Sequence, residues 1–503
     1  MAGSEVLYDF CGSTFWNSNI TWNTDNPDFT QCFERTVLVW IPCGFLWLFA
    51  PLETHYLIRS VDRLIPWTWI NITKLVLSVL LILTQCVDFF YAVHLSTVGE
   101  DVPGVLYVTP FVLIISLVLQ VVFVLMEKKR GIQSCGYLFL FWLLSVICGL
   151  PEYRTFFLSV LNENVETNML TFSTYMVYFP LIVIMLILSC FGDATPQYVD
   201  YPRGKNVCPE VSASFLSRIT FSWVDPLIWK GYRYPLESSD LWDLSCENAS
   251  ATVVSSWDKH WNKSKANAYK KAESHTSATY TNNYAHVEIS GNSGNKEYLS
   301  ILPTLVRTFG PSFLFGALLK FVHDILQFIS PQILSALINF SESEVEDVPV
   351  WHGYLYAVLM FVCAQLQSLC LGQYFMRMFL VGLRMRTALI SAVYCKALRI
   401  STSAKKDSTT GEIVNLMSVD AQRFMDITTY LNMLWSAPLQ IAIALYFLWD
   451  LLGPSVLAGL AVMIVLIPIN GVIANKTKNL QFKQMKNKDH RVKLMNEILN
   501  GIK

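Results

Sequence analysis

The chain alternates long apolar runs with polar connections, a pattern typical of proteins that cross a membrane repeatedly. About twenty apolar residues are needed to cross the hydrocarbon core of a bilayer. Runs of this kind lie at 36–57, 74–94, 105–126, 135–151, 172–191, 311–337, 352–376, 427–450 and 454–474. We therefore predict an all-α polytopic membrane protein with five spans in an N-terminal domain at 1–191, a cytoplasmic linker at 192–302 and four spans at 303–503.

Lysine and arginine mark the connections that stay on the cytoplasmic side of a membrane. The connection after the third run reads EKKR at 127–130, whereas the connection at 341–350 holds four acidic residues and no basic one. This distribution predicts a multi-pass protein with an extracellular N-terminus, and we expect its location to be the plasma membrane. It leaves apical and basolateral locations open.

The predicted extracellular segment carries two candidate modification sites. Asn19 lies in an Asn-Ile-Thr sequon and is the position where we expect a glycan. Cys11 and Cys32 lie in the same segment, where an oxidising compartment would allow a disulfide. Their spacing in the sequence does not show whether the two residues come close enough to bond.

The polar linker has two parts of different composition. Apolar residues recur at helical spacing over about 209–231, which predicts an amphipathic helix at the membrane surface, bent at Pro226. The stretch at about 247–296 is rich in Ser, Asn, Thr, Lys and Ala, so we expect a mobile region with little structure of its own.

Composition and motifs exclude several classes of function. The formal net charge of −1 argues against a nucleic-acid partner, since phosphate binding needs a strong basic excess. The cysteines and histidines show no zinc-type spacing, so no metal site is expected. The chain contains no GxxxxGK[ST] loop, so we assign it no cofactor, no catalytic residue and no ATP site of its own.

Helical, basic patterns continue beyond the seventh and ninth spans, which suggests two helices that extend into the cytoplasm toward a partner. Four stretches between or near these two helices are notable: GEIVNLMSVDAQRFMD at 411–426, LWSAPLQIAIALYFLW at 434–449, LGPSVLAG at 452–459 and KLMNEILNGIK at 493–503. These stretches resemble the multidrug resistance-associated protein family, sub-family C of the ABC transporters. The resemblance covers essentially the whole chain.

The resemblance implies an ATP-driven exporter of amphipathic organic anions, such as glutathione, glucuronide and sulfate conjugates. The segment 303–503 would then be four of the six spans of a type I/IV exporter domain, and the chain an N-terminal fragment of a longer protein. The parent would be an ATP-hydrolysing translocase that uses ATP and Mg. Its nucleotide-binding domains and second transmembrane domain would be partners of this chain.

The sixth span carries Lys320, His323 and Asp324 inside an apolar helix, where charged groups are costly and mark a pathway or a paired site. From the residues alone, an internal Lys320–Asp324 pair at i, i+4 competes evenly with a ligand site. The resemblance implies that Lys320 and His323 contact the anionic part of the substrate, with Asp324 as their counter-charge.

The resemblance also implies roles for residues outside the sixth span. Leu371, Phe375 and Tyr430 would line the apolar half of the substrate pocket. The residues expected to couple the chain to a nucleotide-binding domain are Gly411, Glu412, Asp420, Gln422 and Arg423.

Two other functions are compatible with the sequence. One is a channel regulator similar to the sulfonylurea receptors, which share the five-span domain. The other is a truncated product without transport activity that acts in trafficking or association. The preferred conjugates are not encoded in any motif that we can identify.

Overall fold

A computed structural model describes residues 2–60, 64–99, 102–161, 169–194, 206–280, 300–342, 349–399 and 410–502. The regular elements within these ranges are all helices, and none of them is a strand. The predicted all-α polytopic fold is thereby confirmed.

The N-terminal domain is a bundle of five long helices preceded by three short ones. The short helices are α1 (Ala2–Cys11), α2 (Ser18–Thr21) and α3 (Gln31–Phe33). The long helices are α4 (Val39–Arg59), α5 (Trp69–Val98), α6 (Val105–Arg130), α7 (Gly136–Leu161) and α8 (Met169–Ser189). The side chains of Leu46, Leu81, Leu117, Trp142 and Met185 meet in its core. Each of the five helices contributes one of them, so the bundle has a single shared interior.

The linker contains two short helices, α9 (Phe215–Thr220) and α10 (Asp225–Arg233), instead of one helix bent at Pro226. The break lies at Phe221, whose φ of 61° is left-handed and interrupts the helix. Pro226 sits in the first turn of α10, where its missing N–H breaks no helical hydrogen bond. The predicted bend at Pro226 was therefore wrong.

The α9 helix contacts both membrane domains. The backbone N–H of Phe215 donates to Ser134 Oγ at 2.6 Å, just before α7. On the other side, Gln373 Nε2 donates to the carbonyl groups of Arg218 and Ile219 at 3.0 and 3.1 Å. The linker thus bridges the five-helix bundle and the second membrane domain.

Further along the linker lies α11 (Ser250–Tyr280), although we expected little structure over 247–296. The prediction was wrong for 250–280 because Val253 and Trp257, four residues apart on one helix face, are buried against Leu305 and Phe309. Most of the remaining stretch, 281–296, lies outside the described residues.

The second membrane domain has two long helices, α12 (Leu302–Glu342) and α13 (Trp351–Ala397), followed by four more. These are α14 (Thr410–Asn415), α15 (Ala421–Leu431), α16 (Met433–Leu452) and α17 (Val456–Gly501). The α15 helix packs on α13, where a Cβ on Gly382 would lie 3.0 Å from the Met425 carbonyl oxygen. Glycine at 382 therefore allows the two backbones to approach closely.

Eight helical segments of the described chain are long and apolar enough to cross a membrane. The last of them, Gly411–Gly501, contains both spans that we predicted at 427–450 and 454–474. The helix is interrupted between these two stretches, since Gly453 has a φ of 58° and Gly453–Ser455 is a 3-10 turn. At 1.5 Å per residue, α13 and α17 are each about 70 Å long, which confirms that both extend well beyond a bilayer core of about 30 Å.

Aromatic residues join the N-terminal segment to the start of α13. The indole N–H of Trp351 donates to the Thr24 carbonyl at 2.8 Å, and His352 Nε2 lies 3.1 Å from the Trp22 carbonyl. The Trp22 ring also contacts both side chains, with its centroid 4.4 Å from that of His352. We call Trp22, Thr24, Trp351 and His352 the aromatic clasp.

We expect Trp351→Ala to release the clasp, because it removes both the indole donor and an edge-on ring contact. The two losses together are worth about 1–3 kcal/mol. Hydrogen exchange of residues 13–33 should become faster by about 5- to 100-fold. Tyr354→Ala, an aromatic truncation at an exposed position of the same helix, is the control. Equal exchange in the two variants would contradict this role for the clasp.

Candidate functional site

The α12 helix buries three ionisable side chains in its middle. Lys320 and His323 are each 7% exposed, and Asp324 is 1% exposed. The Lys320 ammonium lies 2.7 Å from Asp324 Oδ1, so the i, i+4 ion pair considered from the sequence is present. One N–H of the ammonium is thus used within α12 itself.

Asp324 also accepts hydrogen bonds from α16. Ser436 Oγ donates to Oδ2 at 2.5 Å, and Gln440 Nε2 donates to Oδ1 at 2.7 Å. With the Lys320 contact, three donors converge on one buried carboxylate. Asp324 therefore does more than balance the charge of Lys320, because it also ties α12 to α16.

His323 faces α13. Its Nδ1 lies 3.2 Å from the carbonyl oxygen of Gln367. A carbonyl can only accept, so Nδ1 carries the proton in this contact, and Nε2 is free to accept when the ring is neutral or to donate when it is protonated. The ionisable residues of α12 thus meet α13 on one side and α16 on the other.

The residues predicted to line the apolar half of the substrate pocket differ in their exposure. Leu371 and Phe375 are half-buried on α13, a few residues beyond Gln367. Tyr430 is 61% exposed on α15. The Tyr374 hydroxyl donates to the Thr429 carbonyl at 2.8 Å, so the neighbours of Phe375 and Tyr430 bring these two helix segments together.

Ser436 and Gln440 were missed from the sequence. Their signal was present, since two polar residues at i, i+4 in the otherwise apolar run LWSAPLQIAIALYFLW share one helix face. Polar side chains between membrane helices are usually hydrogen-bonded to one another. The packing register that brings this face of α16 to Asp324 could not be predicted from the sequence.

The combined arrangement can bind an anion. Lys320 has two N–H groups beyond the one directed at Asp324, and a protonated His323 would offer Nε2–H. Hydrogen bonds from such charged donors are the strong ones. Ser436 and Gln440 would keep Asp324 hydrogen-bonded if Lys320 turned toward a ligand.

The predicted coupling residues lie on one continuous helical stretch from α14 to α15. Gly411, Glu412, Asp420 and Arg423 are exposed. Gln422 is half-buried, and its Nε2 donates to Asp426 Oδ1 at 3.0 Å. The apolar side chains Val414, Leu416 and Val419 are exposed on the same stretch.

The N-terminal segment contains the two predicted modification sites. Cys11 and Cys32 form a disulfide, with their Cα atoms 5.2 Å apart. Asn19 is exposed in α2, which the Asn17 side chain caps by accepting from the Asn19 N–H. Trp22 of the aromatic clasp directly follows this helix.

Two family models match the chain. The model described as the ABC transporter TMD0 domain matches residues 10–177, and the model described as the ABC transporter transmembrane region matches residues 313–503. The first range covers most of the five-helix bundle, and the second contains the buried group on α12.

Curated relatives match the linker as well. ATP-binding cassette sub-family C member 3 of Mus musculus is 44% identical over 492 residues, which are 98% of this chain and 32% of the relative. The same member of Homo sapiens is 43% identical over 495 residues, with the same coverage. Sub-family C member 2 of Homo sapiens is 37% identical over 527 residues, covering 99% of this chain and 33% of the relative.

The chain therefore spans about a third of the length of these relatives, and it shares more residues with member 3 than with member 2. The similarity is continuous through the five-helix bundle, the bridging linker and the helices that hold Lys320. With both family models describing ABC transporter domains, the chain belongs to sub-family C of the ATP-binding cassette transporters, the family that its motifs resemble.

Proposed function

We propose that these residues serve an ATP-driven exporter of amphipathic organic anions, including glutathione, glucuronide and sulfate conjugates. The observation that carries the proposal is the buried group of Lys320, His323 and Asp324 between α12, α13 and α16. Cationic side chains at membrane depth are expensive and are retained where an anion must pass.

The proposed binding step exchanges partners around Lys320. An entering anion competes with Asp324 for the Lys320 ammonium, while Ser436 and Gln440 continue to donate to the Asp324 carboxylate. This arrangement lowers the cost of separating the ion pair, because the buried carboxylate keeps two of its three donors. A protonated His323 would supply a second donor for the anion through Nε2–H.

The apolar part of the substrate would contact Leu371 and Phe375, with Tyr430 on the neighbouring helix segment. A pocket with a few polar groups in an apolar wall is the usual form of a small-molecule site. This composition suits conjugates, which join an anionic group to an apolar body.

ATP hydrolysis would be supplied by nucleotide-binding domains, which together with a second transmembrane domain are the proposed partners. Gly411, Glu412, Asp420 and Arg423 are exposed beside apolar side chains, as a docking surface for such a domain requires. Gln422 would support this surface through its bond to Asp426. We further propose a plasma-membrane location with an extracellular N-terminus and a glycan on Asn19.

The test is ATP-dependent uptake of a glutathione conjugate into inside-out vesicles that contain this chain and a complementary chain carrying the remaining domains. We expect Lys320→Met and His323→Leu each to reduce uptake at low conjugate concentration by about 10- to 100-fold, because each removes a charge-assisted hydrogen bond worth about 1.5–3 kcal/mol.

Lys259→Met and His94→Leu make the same chemical changes at exposed positions outside the site. These two control variants should transport like the unmodified chain. Vesicles with folded, associated chains and no ATP-dependent uptake would contradict the proposal. A loss in the control variants equal to the loss in the site variants would contradict the proposed binding residues.

A further inference from the structure

The five-helix bundle encloses a small polar cavity at the end that carries Lys128. The cavity has a volume of about 30 Å³, enough for about two water molecules. Four residues that line it each have a buried side-chain atom without a hydrogen-bond partner: Asn71 Nδ2, Gln120 Nε2, Glu127 Oε1 and Gln133 Oε1. Asn71, Gln120 and Glu127 are each more than nine-tenths buried. Each unpaired buried group costs about 1–3 kcal/mol, so a bound species that satisfies them is strongly favoured.

Three potential metal ligands meet beside this cavity. Glu53 from α4, Glu127 from α6 and Cys135 just before α7 each place one ligand atom within 4.8 Å of the other two. Cys135 Sγ lies 3.8 Å from Glu53 Oε1. The three residues are widely spaced in the sequence and form no recognisable motif. They come together because α4 packs against α6 and α7.

The charges of this group call for a cation. As metal ligands, the two carboxylates and the Cys135 thiolate would carry three negative charges. Lys74 lines the cavity and supplies one positive charge, while the charges of Lys128 and Asp193, which also line it, offset each other. Burial of the remaining negative charge without a partner is costly. A divalent cation together with the Lys74 ammonium neutralises the group.

The ligand types select among divalent cations. Mg²⁺ and Ca²⁺ take oxygen ligands, whereas Zn²⁺ binds Cys sulfur together with Glu oxygen. We propose that Glu53, Glu127 and Cys135 form a Zn²⁺ site, with a water molecule at the fourth position inside the cavity. That water would accept hydrogen bonds from Asn71 or Gln120 and donate to Gln133 Oε1.

The geometry is close to what Zn²⁺ requires. Ligand atoms around one tetrahedral zinc ion lie about 3.3–3.8 Å apart, so side-chain movements of about 1 Å complete the site. Cys135 is next to Ser134, whose hydroxyl accepts from the Phe215 N–H of the linker. The bound ion would fix α4, α6 and the start of α7 where the linker docks.

The experiment uses the purified chain, carrying an affinity tag without histidines, in lipid nanodiscs. After equilibration with buffered Zn²⁺ and removal of free metal, elemental analysis should find one zinc per chain. Cys135→Ser and Glu127→Gln should weaken zinc binding by more than about 100-fold, beyond the 10- to 100-fold effect of losing an outer-shell partner. Cys190→Ser, which removes a free thiol just after α8, should retain the metal.

A titration of the unmodified chain with Cd²⁺ gives a test that is independent of folding in the variants. Binding should produce a thiolate-to-cadmium charge-transfer absorption, which Zn²⁺ then competes away. If the unmodified chain binds no zinc, the proposal is overturned, and bound protons neutralise Glu53, Glu127 and Cys135 instead. Equal zinc in the folded Cys135→Ser variant would overturn it as well.

Discussion

Asp324→Ala is expected to lower the stability of the second membrane domain by about 3–5 kcal/mol, the cost of leaving one member of a buried ion pair without its partner. Lys320 stays buried after this change, and its ammonium loses the acceptor at 2.7 Å. Ser436 and Gln440 lose the carboxylate that joins α16 to α12. We therefore expect a large drop in the thermal unfolding temperature of the detergent-solubilised protein.

The matched variants separate charge from hydrogen bonding. Asp324→Asn keeps an acceptor for α16 and removes the charge, so it should be less harmful than Asp324→Ala. Lys320→Met combined with Asp324→Asn removes both charges and should recover much of the lost stability, because replacing both members of a buried pair is often close to neutral. A double variant no more stable than Asp324→Asn alone would show that the pair is not coupled.

At this site, the contacts within one helix could be predicted from the sequence, and the contacts between helices could not. Lys320 and Asp324 are four residues apart on one helix, so their pairing follows from helical geometry. The partners Ser436 and Gln440 are on another helix, and their contact depends on how α12 and α16 pack. Helix register is a tertiary property, and hydropathy does not specify it.

The same distinction explains what was predicted of the whole fold. Apolar runs of membrane-spanning length gave the long helices correctly, because every backbone polar group must be satisfied inside the bilayer and the helix achieves this locally. The described part of the linker has no helix that is long and apolar enough to cross a membrane, so this constraint does not shape it. There, the break at Phe221 and the helix α11 depend on contacts with α13 and α12.

The composition of α11 gave little indication that one face of this helix is buried. Ser, Asn, Lys and Ala dominate the helix, which favoured the prediction of a mobile region. Among the residues of α11 up to 267, whose side chains the structure describes, Val253, Trp257 and Trp261 form an apolar stripe at i, i+4 and i+8. Arg384 also donates to Asn248 Oδ1 at 2.7 Å and so fixes the residues just before α11 to α13. A few large apolar side chains at helical spacing are therefore enough to pack a helix whose average composition is polar.

Trp257→Ala should therefore release α11 from the second membrane domain. The side chain is 2% exposed and stacks with Phe309 at a centroid distance of 6.4 Å. Truncation of a buried Trp to Ala costs about 3–5 kcal/mol. Hydrogen exchange across 250–267 should accelerate by about 100-fold or more, since each 1.4 kcal/mol of lost stability is a factor of ten.

Trp257→Phe provides the matched control on the same residue. The Trp257 Nε1–H is buried without a hydrogen-bond partner, so phenylalanine removes an unsatisfied donor while it keeps an aromatic ring against Phe309. The two effects oppose each other, since the lost donor saves about 1–3 kcal/mol and the smaller ring leaves some space. We expect exchange close to that of the unmodified chain. Trp229→Ala, at an exposed tryptophan of α10, should also leave α11 protected. Rapid exchange of α11 in the unmodified protein, or unchanged protection after Trp257→Ala, would show that the apolar stripe does not hold this helix in place.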